Sequence, residues 1–260
     1  MPTSSGTSRL RAKGRPSTDA RKSSGSASFD GISHLYDRFA QLTQDDLARW
    51  VAEHLPPFSQ EALDIGCGTG QFHDLLLARS EWLTGVDVSA DQLQVARDRY
   101  RSSRVTYTLR RLDAGTLHQL GQYDLVFSST ALHHLGPADE VLRQVRCLVK
   151  PGGTLVVIDC IRPPQGILMA RMGMFEWWRW LRCLHGAAKV LVRRRSWRDA
   201  ALMFELRTHP TWRRLAAEAL PLGKEEFDRV YTRRLPGART YGLNSSTRGA
   251  VWRRSLQPEE

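Results

Sequence analysis

The sequence predicts an α/β protein whose core is a doubly wound, mainly parallel sheet of seven strands. Three observations predict this fold class. Short apolar runs alternate with longer amphipathic segments across most of the 260 residues. A glycine-rich turn follows the first apolar run of this series, and an aspartate ends the second. Strands and helices that alternate at this spacing place helices on both faces of a parallel sheet.

The individual elements follow from the spacing of the apolar side chains. Two helical stretches come first, one from Ile32 to Leu42 and one that ends before Pro56. The segment from Pro236 to Trp252 predicts two strands joined by a turn, of which the last is antiparallel to the sheet. Between these ends the predicted strands are 62–65, 82–88, 105–109, 123–128 and 154–159, and the predicted helices are 71–78, 90–100, 139–149 and 211–220.

Composition divides the chain into a tail, a folded domain and an insertion. Residues 1–28 are rich in Arg and Ser and almost without large apolar side chains, so we expect a disordered basic tail. Residues 29–260 have the composition of one folded domain. Within this domain the segment 163–210 interrupts the alternation, and we expect it to form a helical insertion that covers the domain like a lid.

The net charge of +11 is not spread over the whole chain. It is concentrated in residues 1–28 and 171–198, so a nucleic-acid partner would have to bind one of these two stretches. The four cysteines lack the paired spacing of metal ligands, and we expect no metal and reduced thiols in a cytoplasmic protein. No apolar run of the sequence is long enough to predict a membrane-spanning helix.

A glycine-rich loop and an acidic residue predict a nucleoside site. The run Leu63-Asp64-Ile65-Gly66-Cys67-Gly68-Thr69-Gly70 follows a strand and opens a helix, where glycines allow a sharp turn and a close approach of a ligand. Asp87 ends the next strand, where its carboxylate can accept hydrogen bonds from a ribose diol. The spacing G-x-G-x-G, with Gln71 in the sixth position, differs from the dinucleotide fingerprint. A glycine-rich turn without a ligand is the alternative interpretation.

Further segments follow in a fixed order: Gly85-Val86-Asp87-Val88-Ser89, Leu112-Asp113-Ala114, Tyr123-Asp124-Leu125-Val126, Ala131-Leu132-His133-His134-Leu135 and Lys150-Pro151-Gly152-Gly153. Together with the glycine loop, this series closely resembles the motifs of class I S-adenosylmethionine-dependent methyltransferases. Within that family it is similar to the small-molecule group that includes the type 11 and the ubiquinone/menaquinone biosynthesis enzymes. The resemblance covers about residues 29–160 and implies a Rossmann-like fold. It also implies transfer of a methyl group from S-adenosyl-L-methionine to a small-molecule acceptor.

The resemblance implies roles for the residues around the glycine loop. Asp64 and the backbone of Gly66, Gly68 and Gly70 would hold the amino-acid end of the cofactor. Asp87 would bind the ribose hydroxyl groups. These roles place two carboxylates at opposite ends of one adenosyl compound.

The resemblance also implies roles for residues farther along the chain. Val88 would pack on the adenine, Asp113 would accept a hydrogen bond from the adenine amino group, and Ala114 would donate its backbone N–H. Ser128, after the fourth strand, would face the sulfonium. Tyr36 resembles an N-terminal tyrosine that covers the cofactor.

His133 and His134 are the candidate catalytic residues. They follow the fourth strand, where the acceptor is expected, and a histidine titrates near neutral pH and can act as a general base. The alternative is that one or both histidines pack under the loop or position other groups. The sequence does not distinguish the two residues.

Tryptophan and basic residues are combined in the insertion. On a helix, the basic side chains of residues 171–193 share one face: Arg171, Arg179, Arg182, Lys189 and Arg193. One interpretation is a lid over the acceptor, and another is peripheral contact of 167–198 with a membrane surface, which would serve a lipophilic acceptor. A third is ordinary packing with a solvated charged face.

Two other functions remain as alternatives to small-molecule methylation. The charge suggests methylation of nucleic acid or protein. Against this, Ser128-Ser129-Thr130-Ala131 differs from the Asn/Asp-Pro-Pro-aromatic signature that amino-methylating DNA enzymes carry. The other alternative is an inactive scaffold that binds the cofactor. The sequence leaves the acceptor atom and the oligomeric state open.

Overall fold

A seven-stranded sheet lies at the centre of the structure, a computed structural model that describes residues 29, 31–43, 45–162, 172 and 174–256. The strands are β1 (Ser59–Ile65), β2 (Ser80–Asp87), β3 (Val105–Leu109), β4 (Tyr123–Ser129), β5 (Val149–Cys160), β6 (Arg239–Asn244) and β7 (Thr247–Arg253). Their order across the sheet is β3-β2-β1-β4-β5-β7-β6. Strands β1 to β5 pair in parallel, and β7 is antiparallel to both of its neighbours. The predicted fold class is confirmed.

Helices lie along the chain between and beyond the strands. They are α1 (Ser33–Thr43), α2 (Asp45–His54), α3 (His73–Leu77), α4 (Ala90–Arg99), α5 (Ala138–Leu148), α6 (Phe175–Arg194), α7 (Trp197–Thr208), α8 (Pro210–Glu218) and α9 (Lys224–Arg234), with short 3-10 turns at Leu117–Leu120 and Leu132–His134. Most predicted helices differ from these bounds by one or two residues. None of the described helices combines the length and the hydrophobicity that crossing a bilayer would require.

Two hydrophobic cores cover the two faces of the sheet. Successive side chains of a strand point to opposite faces, so Leu155 and Val157 join the core under α5 and α9. Val156 and Ile158 join the core under α2 and α3. Nearly every side chain of these central strands is therefore buried, which is why the strands read as continuous apolar runs rather than alternating ones.

Helix α9 was not predicted. Its apolar contribution to the core is a narrow stripe of Phe227, Val230 and Tyr231, spaced by three and four residues. The remaining positions are mostly charged, and this composition hides the stripe in the sequence. The ring of Phe227 stacks on that of Tyr231 with 4.0 Å between centroids, so the stripe packs as one apolar surface against the sheet.

The predicted insertion contains α6 and α7, which pack against each other, and α7 also contacts α1 and α8. A third, smaller core joins Ile32, Leu206 and Leu215 from the N-terminal segment, α7 and α8. The expected basic tail, residues 1–28, and residues 163–171 of the insertion lie outside the described residues.

Candidate functional site

The loop after β1 has a backbone that only glycine adopts readily. Gly66 has a φ of +69° and Gly68 a φ of +53°. A Cβ on Gly66 would overlap the Cβ of Ala131, and a Cβ on Gly68 would overlap the side-chain oxygen of Gln92. The loop backbone therefore lies directly against the segment after β4 and against α4, with no space for side chains.

Asp87 connects the carboxyl ends of β1 and β2. Its carboxylate accepts hydrogen bonds from the backbone N–H groups of Gly68 and Ser89, each at 2.9 Å. Burial raises the pKa of the Asp87 carboxyl, and the backbone N–H groups oppose this rise. The Ser89 hydroxyl in turn caps α4 by accepting the N–H of Gln92 at 3.2 Å. The glycine loop, β2 and α4 are thus fixed to one carboxylate.

Asp64, in β1, belongs to a buried hydrogen-bonded chain. Its Oδ2 lies 3.2 Å from Nε2 of His73, and Nδ1 of His73 lies 3.0 Å from the hydroxyl of Tyr107. Burial raises the pKa of the Asp64 carboxyl, while the hydrogen bond from His73 lowers it. His73 could not be predicted as a site residue, because a single histidine at the start of a short helix does not interrupt the spacing of the apolar residues.

Helix α1 is fixed to the glycine loop by polar side chains. Asp37 accepts a hydrogen bond from the hydroxyl of Thr69 at 2.6 Å and forms an ion pair with Arg99 at 2.7 Å. Arg99 also donates to the carbonyl of Thr69 at 3.2 Å. These contacts hold α1, which carries Tyr36, above the loop.

Tyr36 reaches the segment after β4. Its hydroxyl lies 3.5 Å from the Thr130 hydroxyl, and burial raises the pKa of Tyr36 to about 12, so the phenol stays protonated. Thr130 has a φ of +54°, an uncommon conformation for a residue other than glycine. Strained backbone of this kind is often found where a segment is held in place for a ligand.

A cavity opens between these elements. The volume within which the centre of a water molecule can move is about 110 Å³. A single bound water needs only ~10–15 Å³ on this measure, so the cavity has room for a larger ligand. The predicted site residues that line it are Tyr36, Asp64, Gly66, Gly68, Asp87, Val88 and His134. It is also lined by residues that sequence reasoning did not find: Phe29, Gln92, Thr130, Ala131 and Leu215.

Gly70 and Ser128 lie outside the residues that line the cavity. Gly70, with a φ of +75°, faces away from it, since a Cβ there would meet Nδ1 of His73 at 2.8 Å. Ser128 is fully buried and donates its hydroxyl to the Ile65 carbonyl at 2.9 Å. It therefore joins β4 to β1, and Ser129 takes the lining position instead.

Asp113 and Ala114 also lie outside the lining of the cavity. One oxygen of Asp113 accepts the backbone N–H groups of Gly115 and Thr116, each at 2.9 Å, so the side chain closes a local turn. The backbone N–H of Ala114 is donated to the Leu135 carbonyl at 3.1 Å. In this arrangement neither group is directed at a ligand. The adjoining residues Arg110, Arg111 and Leu112 line the cavity.

The two candidate catalytic histidines occupy different places. His133 forms a short hydrogen bond through Nδ1 with Asp159, and its side chain is 9% exposed. It lines a separate small cavity, whereas His134 lines the large one. The centroids of the two imidazole rings lie 4.2 Å apart. His134 keeps more accessible surface, yet the cavity walls displace enough water to lower the pKa of its imidazole, and the charge of His133 contributes in the same direction.

Comparison with known proteins identifies relatives of this chain. Residues 62–153 match the family model described as a methyltransferase domain. A ubiquinone biosynthesis O-methyltransferase from Pseudomonas aeruginosa is 32% identical over 155 residues, which cover 56% of this chain and 67% of that protein. The structure of an O-methyltransferase family protein from Burkholderia thailandensis aligns with a TM-score of 0.55 at 16% identity, covering 84% of this chain and 58% of that one. The magnesium protoporphyrin IX methyltransferase of Synechocystis aligns with a TM-score of 0.52 at 14% identity, covering 87% of this chain and 96% of that one.

Because the sequence identity to these two structures is low, the alignments show a shared fold and no more. The sequence match identifies the family, because the family model and the Pseudomonas relative are matched directly by sequence. The matched segment 62–153 includes the glycine loop, Asp87 and the two histidines. The chain therefore belongs to the class I S-adenosylmethionine-dependent methyltransferases.

Proposed function

We propose that this enzyme methylates a small, lipophilic acceptor and that His134 accepts the proton which leaves the methylated atom. One observation carries the proposal. A single cavity joins the glycine loop, Asp64 and Asp87 to His134 and to an apolar, aromatic wall. The cofactor requires polar groups, which the glycine loop and the two aspartates provide. A lipophilic acceptor requires apolar surface, which the aromatic wall provides.

The lining residues fit S-adenosylmethionine, whose sulfonium supplies the methyl group. Asp64 would hold the ammonium group of its amino-acid part, and Asp87 would accept hydrogen bonds from its ribose. The loop at Gly66 and Gly68 lines the cavity with backbone, which a ligand can approach closely. Gln92 supports the same fit. Among the described residues, its side-chain Nε2 is buried without a hydrogen-bond partner, and an unpaired buried donor is costly until a ligand satisfies it.

The apolar wall favours a planar or apolar acceptor. The ring centroid of Phe29 lies 4.7 Å from that of Tyr36, and both rings line the cavity. Trp212, outside the lining, packs behind Tyr36 with 5.8 Å between ring centroids. The edge of Phe29 approaches the ring of His134, with 6.4 Å between centroids. An acceptor beside these rings would be shielded from water and held next to the imidazole.

The product S-adenosylhomocysteine gives the direct test. The purified protein is incubated with labelled S-adenosylmethionine and either an organic-solvent extract of cells, an aqueous extract, total nucleic acid or total protein. We expect S-adenosylhomocysteine and label transfer with the organic extract. Label in nucleic acid or protein, or no turnover with any fraction, would overturn the proposed acceptor class.

Helix α6 exposes a row of large apolar side chains. Trp177, Trp180, Leu181, Leu184 and Val192 are all exposed, with Trp177 reaching 76%. Their spacing places most of them on one side of the helix. The buried Cys183 lies on another side of α6, and the helix packs against α7. Exposed tryptophan and leucine in such a row are uncommon on a protein that contacts only water.

The segment that contains this row is strongly basic. Residues 171–198 contain eight basic side chains and one acidic residue. Lys189 is exposed, and the guanidinium of Arg182 lies over the ring of Trp178 at 4.7 Å. We infer that α6 lies on a bilayer that contains anionic lipids, because tryptophan suits the headgroup region and basic residues bind anionic headgroups. A surface of this kind would bring the enzyme to a lipophilic acceptor.

Vesicle cosedimentation tests the membrane contact. Binding to phosphatidylcholine vesicles that contain phosphatidylglycerol should weaken about tenfold or more when Trp177 and Trp180 are both changed to Ser, because apolar area leaves the bilayer. Trp82→Ser is the matched control, since Trp82 and Trp180 are each 47% exposed and Trp82 lies on β2. Equal binding by the double variant, or equal binding of the wild type to pure phosphatidylcholine, would contradict the proposed lipid surface.

A further inference from the structure

The chain of hydrogen bonds from Asp64 ends at a backbone carbonyl. Asp64 contacts Nε2 of His73 at 3.2 Å, Nδ1 of His73 contacts the Tyr107 hydroxyl at 3.0 Å, and that hydroxyl donates to the Ala96 carbonyl at 3.3 Å. His73 is fully buried and Asp64 is 3% exposed. Water therefore has little access to the groups that exchange protons here.

The hydrogen bonds between Asp64, His73, Tyr107 and the Ala96 carbonyl can be formed with two different arrangements of protons. In the first, Tyr107 donates its only hydroxyl proton to Ala96, so Nδ1–H of His73 must donate to the Tyr107 oxygen. The contact between Nε2 and Asp64 then needs a second proton, which either an imidazolium or a carboxylic acid supplies. The pair of Asp64 and His73 is electrically neutral in this arrangement.

In the second arrangement Tyr107 turns its hydroxyl towards Nδ1 of His73. His73 is then a neutral imidazole that donates Nε2–H to an ionised Asp64, and the pair carries one negative charge. The Ala96 carbonyl stays satisfied, because it also accepts the backbone N–H of Tyr100 at 2.9 Å. Passing from the first arrangement to the second releases one proton and requires only rotation of a hydroxyl.

The charged and titratable neighbours favour the neutral pair while no cation is bound. Burial disfavours an ionised Asp64, and the negative charges of Asp64 and Asp87 repel each other. The other groups that face the pair are Cys67 in the glycine loop, Tyr100 after α4, with its ring 5.2 Å from that of His73, and Asp74, which is hydrogen-bonded to Tyr100. The guanidinium of Arg97 in α4 lies over the Tyr107 ring, 5.8 Å from its centroid, and the same ring stacks on His73.

We propose that His73 is a positioning residue for Asp64 and that the pair gives up one proton when the ammonium group of the cofactor binds at Asp64. This inference rests on the proposed role of Asp64. A positive charge beside the carboxylate stabilises the ionised form and with it the second arrangement. Cofactor affinity is then linked to pH, and it rises as the pH rises through the range in which the free protein keeps the extra proton.

Titration calorimetry with S-adenosylhomocysteine measures the released proton. The heat is compared in two buffers with different ionisation enthalpies, between about pH 5.5 and 7, where the α-amino group of the ligand stays protonated. We expect proton release by the wild type and up to about tenfold tighter binding per pH unit. 5′-Methylthioadenosine has no amino-acid part, so it should bind without releasing a proton.

Two substitutions distinguish a loss of proton release from a loss of structure. His73→Gln keeps an N–H donor for Asp64 but has no titratable group, so proton release and the pH slope should disappear while binding near pH 7 is retained. Tyr107→Phe removes the oxygen that fixes Nδ1–H and should reduce proton release as well. His54→Gln, in α2, should release protons as the wild type does, because His54 contacts the Trp50 carbonyl instead.

The outcomes distinguish this inference from the proposed function. If S-adenosylhomocysteine does not bind to the wild type, the assignment of Asp64 to the cofactor fails. If it binds with the same heat in both buffers, the assignment of the cofactor site is retained, and the proposed release of a proton is wrong. If His73→Gln releases as many protons as the wild type, the pair of Asp64 and His73 is not the source.

Discussion

Replacing His134 by Asn should lower kcat about a hundredfold, because general-base catalysis typically contributes ~10²–10⁴-fold and asparagine cannot accept a proton. The affinity for S-adenosylhomocysteine should change little, since the side chains proposed to bind the cofactor, Asp64 and Asp87, are elsewhere in the cavity. His134 is the one of the two adjacent histidines that lines this cavity. Initial-rate kinetics with the identified acceptor, together with calorimetric binding, measure both quantities.

Two neighbouring substitutions make this prediction specific. His133→Asn should have a smaller effect on kcat, because His133 is bonded to Asp159 and does not line the cavity that contains His134. His118→Asn, on the exposed side of the 3-10 turn Leu117–Leu120, should leave kcat unchanged. Full activity in His134→Asn would exclude it as the base. An equal loss in His133→Asn would instead indicate that the pair acts as one unit.

The pH dependence of kcat also tests whether His134 is the general base. A base is inactivated when it binds a proton, so activity falls as the pH falls through its pKa. Loss of solvent and the charge of His133 lower the pKa of His134, which keeps the imidazole uncharged at and below neutral pH. We therefore expect kcat to stay level from about pH 8 to about pH 6, whereas a histidine with an ordinary pKa of ~6.5 would lose much of its activity in that range.

The fold could be predicted from the sequence because its signals are local. Each central strand is a short apolar run, and glycine separates β1 from α3 and β4 from α5. The antiparallel pair β6 and β7 was also predicted from such a pattern. Helix α9 escaped prediction because its buried side is only three residues wide. Its place is decided by the core that it joins, not by its own composition.

The site could be predicted less completely, because it depends on how loops turn. Asp87 and Gly66 are fixed to strand ends, and they line the cavity. Asp113 sits in a loop after β3, and a local turn there directs its carboxylate to the backbone of the same loop. Leu215 reaches the cavity from a helix beyond the insertion. No property of residue 215 or its neighbours in the sequence indicates that contact.

Replacing Gly66 by Ala should have the largest effect on the cofactor site. The φ of +69° strains an alanine by ~1–2 kcal/mol, and overlap of its Cβ with the Cβ of Ala131 adds ~1–3 kcal/mol. We expect the free energy of unfolding to fall by about 3 kcal/mol. Cofactor affinity should fall about a hundredfold or more, because the loop has to move away from Ala131. Chemical denaturation and calorimetry measure the two losses.

Strain and overlap can be separated with matched variants. Gly237→Ala has a similar φ of +81° and no atom within 4 Å of the added Cβ, and Gly237 lies in the turn before β6, so this variant should show the strain alone, ~1–2 kcal/mol, with unchanged cofactor affinity. Ala131→Gly removes the atom that Gly66→Ala would strike. The double variant Gly66→Ala/Ala131→Gly should therefore regain about 2 kcal/mol and most of the affinity, which a double-mutant cycle measures. A double variant no better than Gly66→Ala would show that the loop needs the conformational freedom of glycine itself, and that its contact with the segment after β4 does not shape the cavity.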